Sequence, residues 1–161
     1  MPNWCDNNIG LTHSDSSKID ELEATLSGVD KELFNHLRPR PKDQDENWYD
    51  WQCENWGTKW DASINDWNRD GANGIWISCS TPWHPPIALY EFLIEEGWEV
   101  DALYNEQGMG YCGTWKSGVD DMYEYDSDDL ESLEQLTEEL QEFTGLIDYY
   151  NQRKADGEFD D

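Results

Sequence analysis

Apolar positions in this chain recur with two periods, and the order in which the periods alternate defines the expected fold. Trp4–Thr12 reads as a strand of imperfect alternation. Ser16 and Ser17 then cap a helix over residues 18–27. There Ile19, Leu22 and Leu26 repeat at three- and four-residue spacing, and Gly28 closes the helix. Residues 29–47 form an irregular connection anchored by Leu33, Phe34 and Leu37, with Pro39 and Pro41 opposing helix. Residues 47–56 suit a short helix whose rings fill a gap in the core. Residues 58–67 and 75–80 are expected strands, with a Gly- and Asn-rich loop over 68–74 between them.

Pro82, Pro85 and Pro86 precede a second helix over residues 87–96, with Leu89, Phe92 and Leu93 inward and Gly97 at its end. Residues 98–105 alternate clearly: Trp98, Val100, Ala102 and Tyr104 face one side, and Glu99, Asp101 and Leu103 the other. A turn at Gly108 and Gly110 leads into a strand over 109–116, which 119–125 extends. Residues 126–128 open a helix from 129 to 143 with Leu130, Leu133, Leu136 and Leu140 at helical spacing. Residues 155–161 read as frayed.

Strand, helix, strand, strand, helix, strand is the order of an α+β ferredoxin-like sandwich, an antiparallel sheet with helices on one face. The expected additions are a Trp-rich insertion and an acidic C-terminal helix. The second face stays open unless the long connection, the Trp-rich helix or the C-terminal helix covers it. The expected organisation is a domain over 1–117 and an acidic extension over 118–161.

Composition sharpens this picture. The 161 residues carry 37 acidic against 10 basic side chains, a net charge of −27, yet they include 10 Trp, 8 Tyr and 4 Phe. High charge at a mean hydropathy of −0.94 points toward disorder. The aromatic load points the other way, because each ring buries roughly 150–250 Å². Nine of the ten Trp lie between Trp4 and Trp98, whereas residues 120–161 hold 16 acidic and 2 basic side chains. The chain is therefore expected to be a folded aromatic domain followed by an acidic segment. Clustered Lys and Arg for a nucleic-acid backbone are missing, so no direct nucleic-acid partner is expected. No apolar run reaches the ~18 residues of a membrane span, and the first residues do not read as a secretory signal. Cys5, Cys53, Cys79 and Cys112 lack a CxxC pair, which fits reduced thiols in a cytoplasm.

Several blocks then carry a resemblance: MPNWCDN at 1–7, FNHLRPRP at 34–41, WYDW at 48–51, NWGTKWD at 55–61, TPWHPP at 81–86 and YNEQGMGYCG at 104–113. Their order resembles the YubB-like family of small phage and plasmid proteins, described as having a ferredoxin-like domain. The resemblance covers about residues 1–117. It implies the fold and a mobile-element origin, hence the cytoplasm of an infected or plasmid-bearing host cell, and it supplies no catalytic residues. The cysteines lack iron–sulfur spacing, and no cofactor is expected.

Candidate chemistry gathers at three places. In NWGTKWD, Lys59 and Asp61 could line a pocket walled by Trp56 and Trp60, with Asn55 as a polar contact; equally, Gly57 turns the chain and the rings pack as core. Asp66, Asn68 and Asp70 match the first half of a calcium loop, but Ile77 stands where its bidentate Glu should be, so a solvated turn is the expectation and no metal is assigned. Asp128, Asp129, Glu131, Glu134, Glu138, Glu139 and Glu142 form the polar face of the last helix. His13, His36 and His84 lack a local partner pattern, and Cys5 and Cys112 are expected to face each other on adjacent strands.

The functional expectation is a non-enzymatic protein that binds a host protein with a basic surface. It would act as a DNA mimic or an inhibitor that occludes a nucleic-acid-binding cleft. A small-ligand-binding protein or enzyme with a Trp-rich pocket at 48–61 is the alternative, and a structural component of a particle or oligomer is the third.

Overall fold

A computed structural model describes residues 2–159. Six strands form one antiparallel sheet: β1 (Trp4–Thr12), β2 (Ser63–Asp70), β3 (Gly74–Pro82), β4 (Glu99–Glu106), β5 (Tyr111–Lys116) and β6 (Val119–Glu124). Their spatial order is β2-β3-β1-β4-β5-β6. Helix α1 (Ser16–Ser27) connects β1 to the far side of β3. A short α2 (Leu33–Leu37), a 3-10 turn (Lys42–Asn47) and α3 (Trp48–Asn55) follow, and α4 (Ile87–Glu95) connects β3 to β4. Three further helices close the chain: α5 (Leu130–Glu134), α6 (Glu138–Thr144) and α7 (Leu146–Ala155).

Alternation on the strands separates two cores. Cys5, Ile9 and Leu11 on β1, Ile75, Ile77 and Cys79 on β3, and Val100, Ala102 and Tyr104 on β4 point to one face. There they meet Ile19, Leu22 and Leu26 of α1 and Leu89, Tyr90 and Leu93 of α4, all essentially solvent-free. The stripe expected on α1 is the buried one; on α4, Leu89 and Leu93 are buried as expected, but Tyr90 takes the third place and Phe92 is only partly buried. Asn7 lies on the same face and spends its amide on Thr81 Oγ1 (2.9 Å) and on the carbonyls of Cys5 and Cys79 (3.1 and 3.4 Å). This satisfies a buried polar group that would otherwise cost stability.

The opposite face is covered over half its width. Leu103, Cys112 and Tyr123 pack under Leu133, Leu136, Leu140 and Leu146 of the C-terminal segment. The half formed by β1, β3 and β2 stays open and polar, with Asp6, Asn8, Ser78 and Ser80 on it. Of the three candidates to cover this face, the C-terminal segment does so. The Trp-rich helix joins the first core instead: Trp56 is buried there, and its carbonyl accepts the Leu89 N–H at 3.3 Å.

Several local expectations are corrected. The cap of α1 is Asp15, whose Oδ1 accepts the Ser17 N–H at 3.0 Å. The hairpin loop shrinks to residues 71–73, because Asn68 and Arg69 belong to β2, and residues 58–62 are irregular. Arg69 is held in the strand by Asp20 (2.7 Å) and Glu23 (2.6 Å) of α1 and by the carbonyls of Gly71 and Ala72. Residues 119–124 do not extend β5; they fold back on it as β6 through Ser117 and Gly118, both at positive φ, the geometry of a tight hairpin. The single helix over 129–143 is three. Thr137 caps α6 through its hydroxyl, and Gly145, at φ 64°, turns the chain into α7. Residues 160–161 of the expected frayed tail lie outside the described residues. Cys5 and Cys112 do not face each other: β4 separates their strands, and they point to opposite faces.

Leu140 is fully buried in the second core. Leu140→Ala should therefore lower stability by about 2–5 kcal/mol. If the acidic helices are part of one cooperative unit, a denaturant melt followed by Trp fluorescence shows that loss in a single transition.

Candidate functional site

The NWGTKWD block is built chiefly as structure. Trp56 is buried, and its indole N–H donates to the Arg38 carbonyl at 3.0 Å. Asn55 Nδ2 donates to the Trp51 carbonyl (2.8 Å), and its own carbonyl accepts from Arg38 (3.2 Å). Asp61 reaches back across the chain to the start of α2. Its Oδ1 accepts the Phe34 N–H (2.8 Å) and the Ala62 N–H (2.7 Å), and its Oδ2 accepts the Asn35 N–H (3.0 Å). It thereby satisfies amides at a helix start that lacks a side-chain cap of its own. Burial pushes the Asp61 carboxyl above its ordinary range, and these three N–H groups pull it part of the way back. Lys59 lies over the Trp60 ring at 4.4 Å.

Trp56, Trp60 and Asp61 nevertheless line a cavity of about 550 Å³, together with Glu32, Asn35, Arg40, Lys42, Asp45, Trp48 and Gln52. Asn55 and Lys59 are not among its walls. Trp48 and Trp60 are both part-exposed at 39% and 40%. Arg40 spans it, donating to Gln52 and to Asp45 (2.8 Å), while its Nε is buried without a partner.

A second cavity, about 340 Å³, was not read from the sequence. It is lined by Gly57, His84, Pro85, Ile87, Tyr104, Tyr111, Asp120 and Met122. Three of the blocks noted above converge here: NWGTKWD through Gly57, TPWHPP through His84 and Pro85, and YNEQGMGYCG through Tyr104 and Tyr111. Gly57 sits at φ 87° with the α4 N-terminus 3.1–3.2 Å from where a Cβ would be, so the turn admits no side chain. Tyr104 reaches from β4 across β5 to Asp120 on β6, donating its hydroxyl to Oδ1 at 2.5 Å. That reach crosses Gly113, where a Cβ would collide with the Tyr104 ring. Burial, and then Asp120, holds the Tyr104 phenol well above its usual range, so it stays a donor.

The segment leading into His84 and Pro85 of this cavity is strained. Trp83 has φ 72°, a left-handed conformation that costs a non-glycine residue about 1–2 kcal/mol. Four hydrogen bonds hold the segment: Trp83 N–H to the Asn3 carbonyl, His84 N–H to the Pro82 carbonyl, Thr81 hydroxyl to the His84 carbonyl, and Tyr111 hydroxyl to the Trp83 carbonyl. They leave the Trp83 ring 43% exposed. Strain maintained this way clusters at functional sites.

The acidic residues divide by role. Asp128 pairs with Arg153 (2.8 Å), Asp129 caps α5, and Glu139 pairs with Lys116 (2.6 Å). Glu131, Glu134, Glu138 and Glu142 are exposed and form no ion pair among the described residues. Asp66, Asn68 and Asp70 stand at alternate positions of extended β2 and do not curl around a point. No group of three or more His, Cys, Asp or Glu that could hold a metal occurs among the described residues. The largest cavity, about 700 Å³, lies at the far end of the sheet, where its one basic group, Lys116, is already paired. No described helix is long and apolar enough to cross a membrane.

No protein-family model, curated protein or solved structure matches the chain. Residue chemistry alone therefore ranks the sites.

Asp61 has a testable pH signature. Because its folded pKa is raised, the folded state holds this proton more tightly than the unfolded chain. Its contribution to stability is present at low pH and is lost as pH rises from about 4 through the raised folded value. Asp61→Asn keeps the Oδ1 acceptor and removes that titration. The stability of the variant relative to the parent should rise with pH across this window in denaturant melts.

Proposed function

We propose that this chain is a non-enzymatic binding protein of mobile-element origin that occludes the basic, nucleic-acid-binding surface of a host protein. The observation carrying this reading is that the acidic segment is docked. Its leucines pack on Leu103, Cys112 and Tyr123, so Glu131, Glu134, Glu138 and Glu142 stand on an ordered layer rather than a loose tail. Carboxylates held at fixed positions lose less freedom on binding a basic surface than carboxylates on a flexible chain. At −27, the field of the whole chain also speeds encounter with a basic partner.

The core connectivity supports a ferredoxin-like assignment, since α1 and α4 cross one face and β1 lies between β3 and β4. Together with the sequence blocks, it supports placing the chain with the YubB-like family.

Affinity purification with the parent chain and with the quadruple variant Glu131, Glu134, Glu138 and Glu142→Gln tests this function. The parent should recover a nucleic-acid-binding protein in moderate salt and lose it as salt rises, and the variant should lose it at lower salt. Partners without a basic surface, or recovery indifferent to salt, would refute the reading.

One observation favours a second reading, a small-ligand site at the Trp-rich insertion: the 550 Å³ cavity places two part-exposed indoles beside Arg40 and Lys42. A flat ligand would stack there between groups of both signs, since Glu32, Asp45 and Asp61 share the walls with Arg40 and Lys42. If so, Trp48→Ala abolishes ligand-induced Trp fluorescence quenching without moving the melting temperature.

A further inference from the structure

The 340 Å³ cavity beside His84 and Pro85 has one-sided chemistry. Asp120 is the one charged residue among its walls, and no Lys or Arg lines it. Asp120 Oδ1 is taken by the Tyr104 hydroxyl, and Oδ2 has no hydrogen-bond partner among the described residues. The rings of Tyr104, Tyr111 and His84 wall the space, and Pro85, Ile87 and Met122 complete it with apolar surface. Beside Tyr111, in register on β4, Glu106 is fully buried; its Oε1 accepts the Met109 N–H at 3.2 Å and its Oε2 meets no partner. Both carboxylates add negative potential at Tyr111. A group that displaces water here must complement a carboxylate within aromatic walls. An anion is repelled. A flat, delocalised, weakly hydrated cation fits best, because guanidinium both pairs with carboxylate and stacks on rings.

Position in the sheet adds a second argument. β6 is an edge strand, and Asp120 and Met122 present the cavity on one of its faces. The helices bearing the free glutamates cover the other face at Tyr123. A basic partner that straddles this edge meets both.

We propose that this cavity is an arginine pocket: it receives the guanidinium of one arginine on the surface of the basic partner. Asp120 Oδ2 accepts its N–H groups, and the Tyr111 and His84 rings flank its plane. The proposal rests on the acidic-surface reading for the partner's basic character. It adds a point of specificity that diffuse charge lacks.

The test uses the full ¹⁵N-labelled chain at fixed ionic strength, titrated with acetyl-Gly-Arg-Gly-amide and with its lysine and citrulline counterparts. The arginine peptide should give saturable amide shifts at His84, Asp120 and Met122. The lysine peptide should bind at least threefold more weakly, and the citrulline peptide should not bind. Asp120→Asn should weaken the arginine peptide at least tenfold. Met122→Arg, at a position already 55% exposed, places a competing guanidinium at the mouth and should abolish the shifts without unfolding the chain. Shifts that do not saturate, that map to the C-terminal helices, that appear equally with citrulline or lysine, or that survive both variants would overturn the proposal. The quadruple glutamine variant separates the two readings. If it still captures the partner in full while the pocket titrates normally, the acidic-surface reading falls and the pocket stands. If it loses the partner while the pocket titration is flat, the reverse holds.

Discussion

Strand β5 is buried on both of its faces, and much of the molecule follows from that. Trp115 turns toward α4, where its ring lies 5.9 Å from Tyr90, while Cys112, three strand positions before it and so on the opposite face, is solvent-free. An antiparallel strand of this kind cannot stand with one face in water. A second layer has to cover it, and the chain that follows is the layer. The acidic helices are thus part of the fold and not an appendage to it. Leucine burial at Leu133, Leu136, Leu140 and Leu146 supplies the attachment. The ion pairs Lys116–Glu139 and Arg153–Asp128 lie at the surface, where such pairs contribute about 0–1 kcal/mol.

This arrangement resolves the conflict between charge and aromaticity. Charge repulsion acts over the surface, where water and ions screen it. The aromatic and aliphatic groups act inside, in two cores separated by the sheet. The cost appears at the edges of the cores, where carboxylates are drawn partly inward. Asp61 is accommodated by three backbone N–H groups, while Asp120 stays exposed and accepts the Tyr104 hydroxyl. Glu106 retains an unpartnered oxygen. The best partnered of these three secures a helix, Asp120 lines the 340 Å³ cavity, and Glu106 lies in register beside that cavity's Tyr111.

Elements whose burial repeats with the period of their own backbone were legible in advance. Ile19, Leu22 and Leu26 on α1, and Val100, Ala102 and Tyr104 on β4, mark their faces because spacing alone carries the signal. Breaks in helices were harder to see. Leu130, Leu133, Leu136 and Leu140 keep helical spacing across the Thr137 cap, since a short turn can preserve the side on which leucines emerge. Helix α7 carries its own cue in Leu146, Ile147 and Tyr150, which lie between the helix expected over 129–143 and the frayed end expected from 155. The Trp-rich block drew attention by composition, yet Asp61 serves residues 26 and 27 positions away, a pairing no local window contains.

By itself the sequence determined the alternation of elements, the inward stripes of α1 and β4, and the division between aromatic and acidic regions. Each depends on neighbours within a few residues, or on totals. Only the tertiary structure decided which face the acidic helices cover, that β6 returns along β5, and that Gly57, His84, Tyr104, Tyr111 and Asp120 share one cavity. Those facts depend on strand order and register. Register brings Gly113 opposite Tyr104 and so lets a β4 side chain reach β6; it is set by pairing across the whole sheet, which spacing along the chain does not encode.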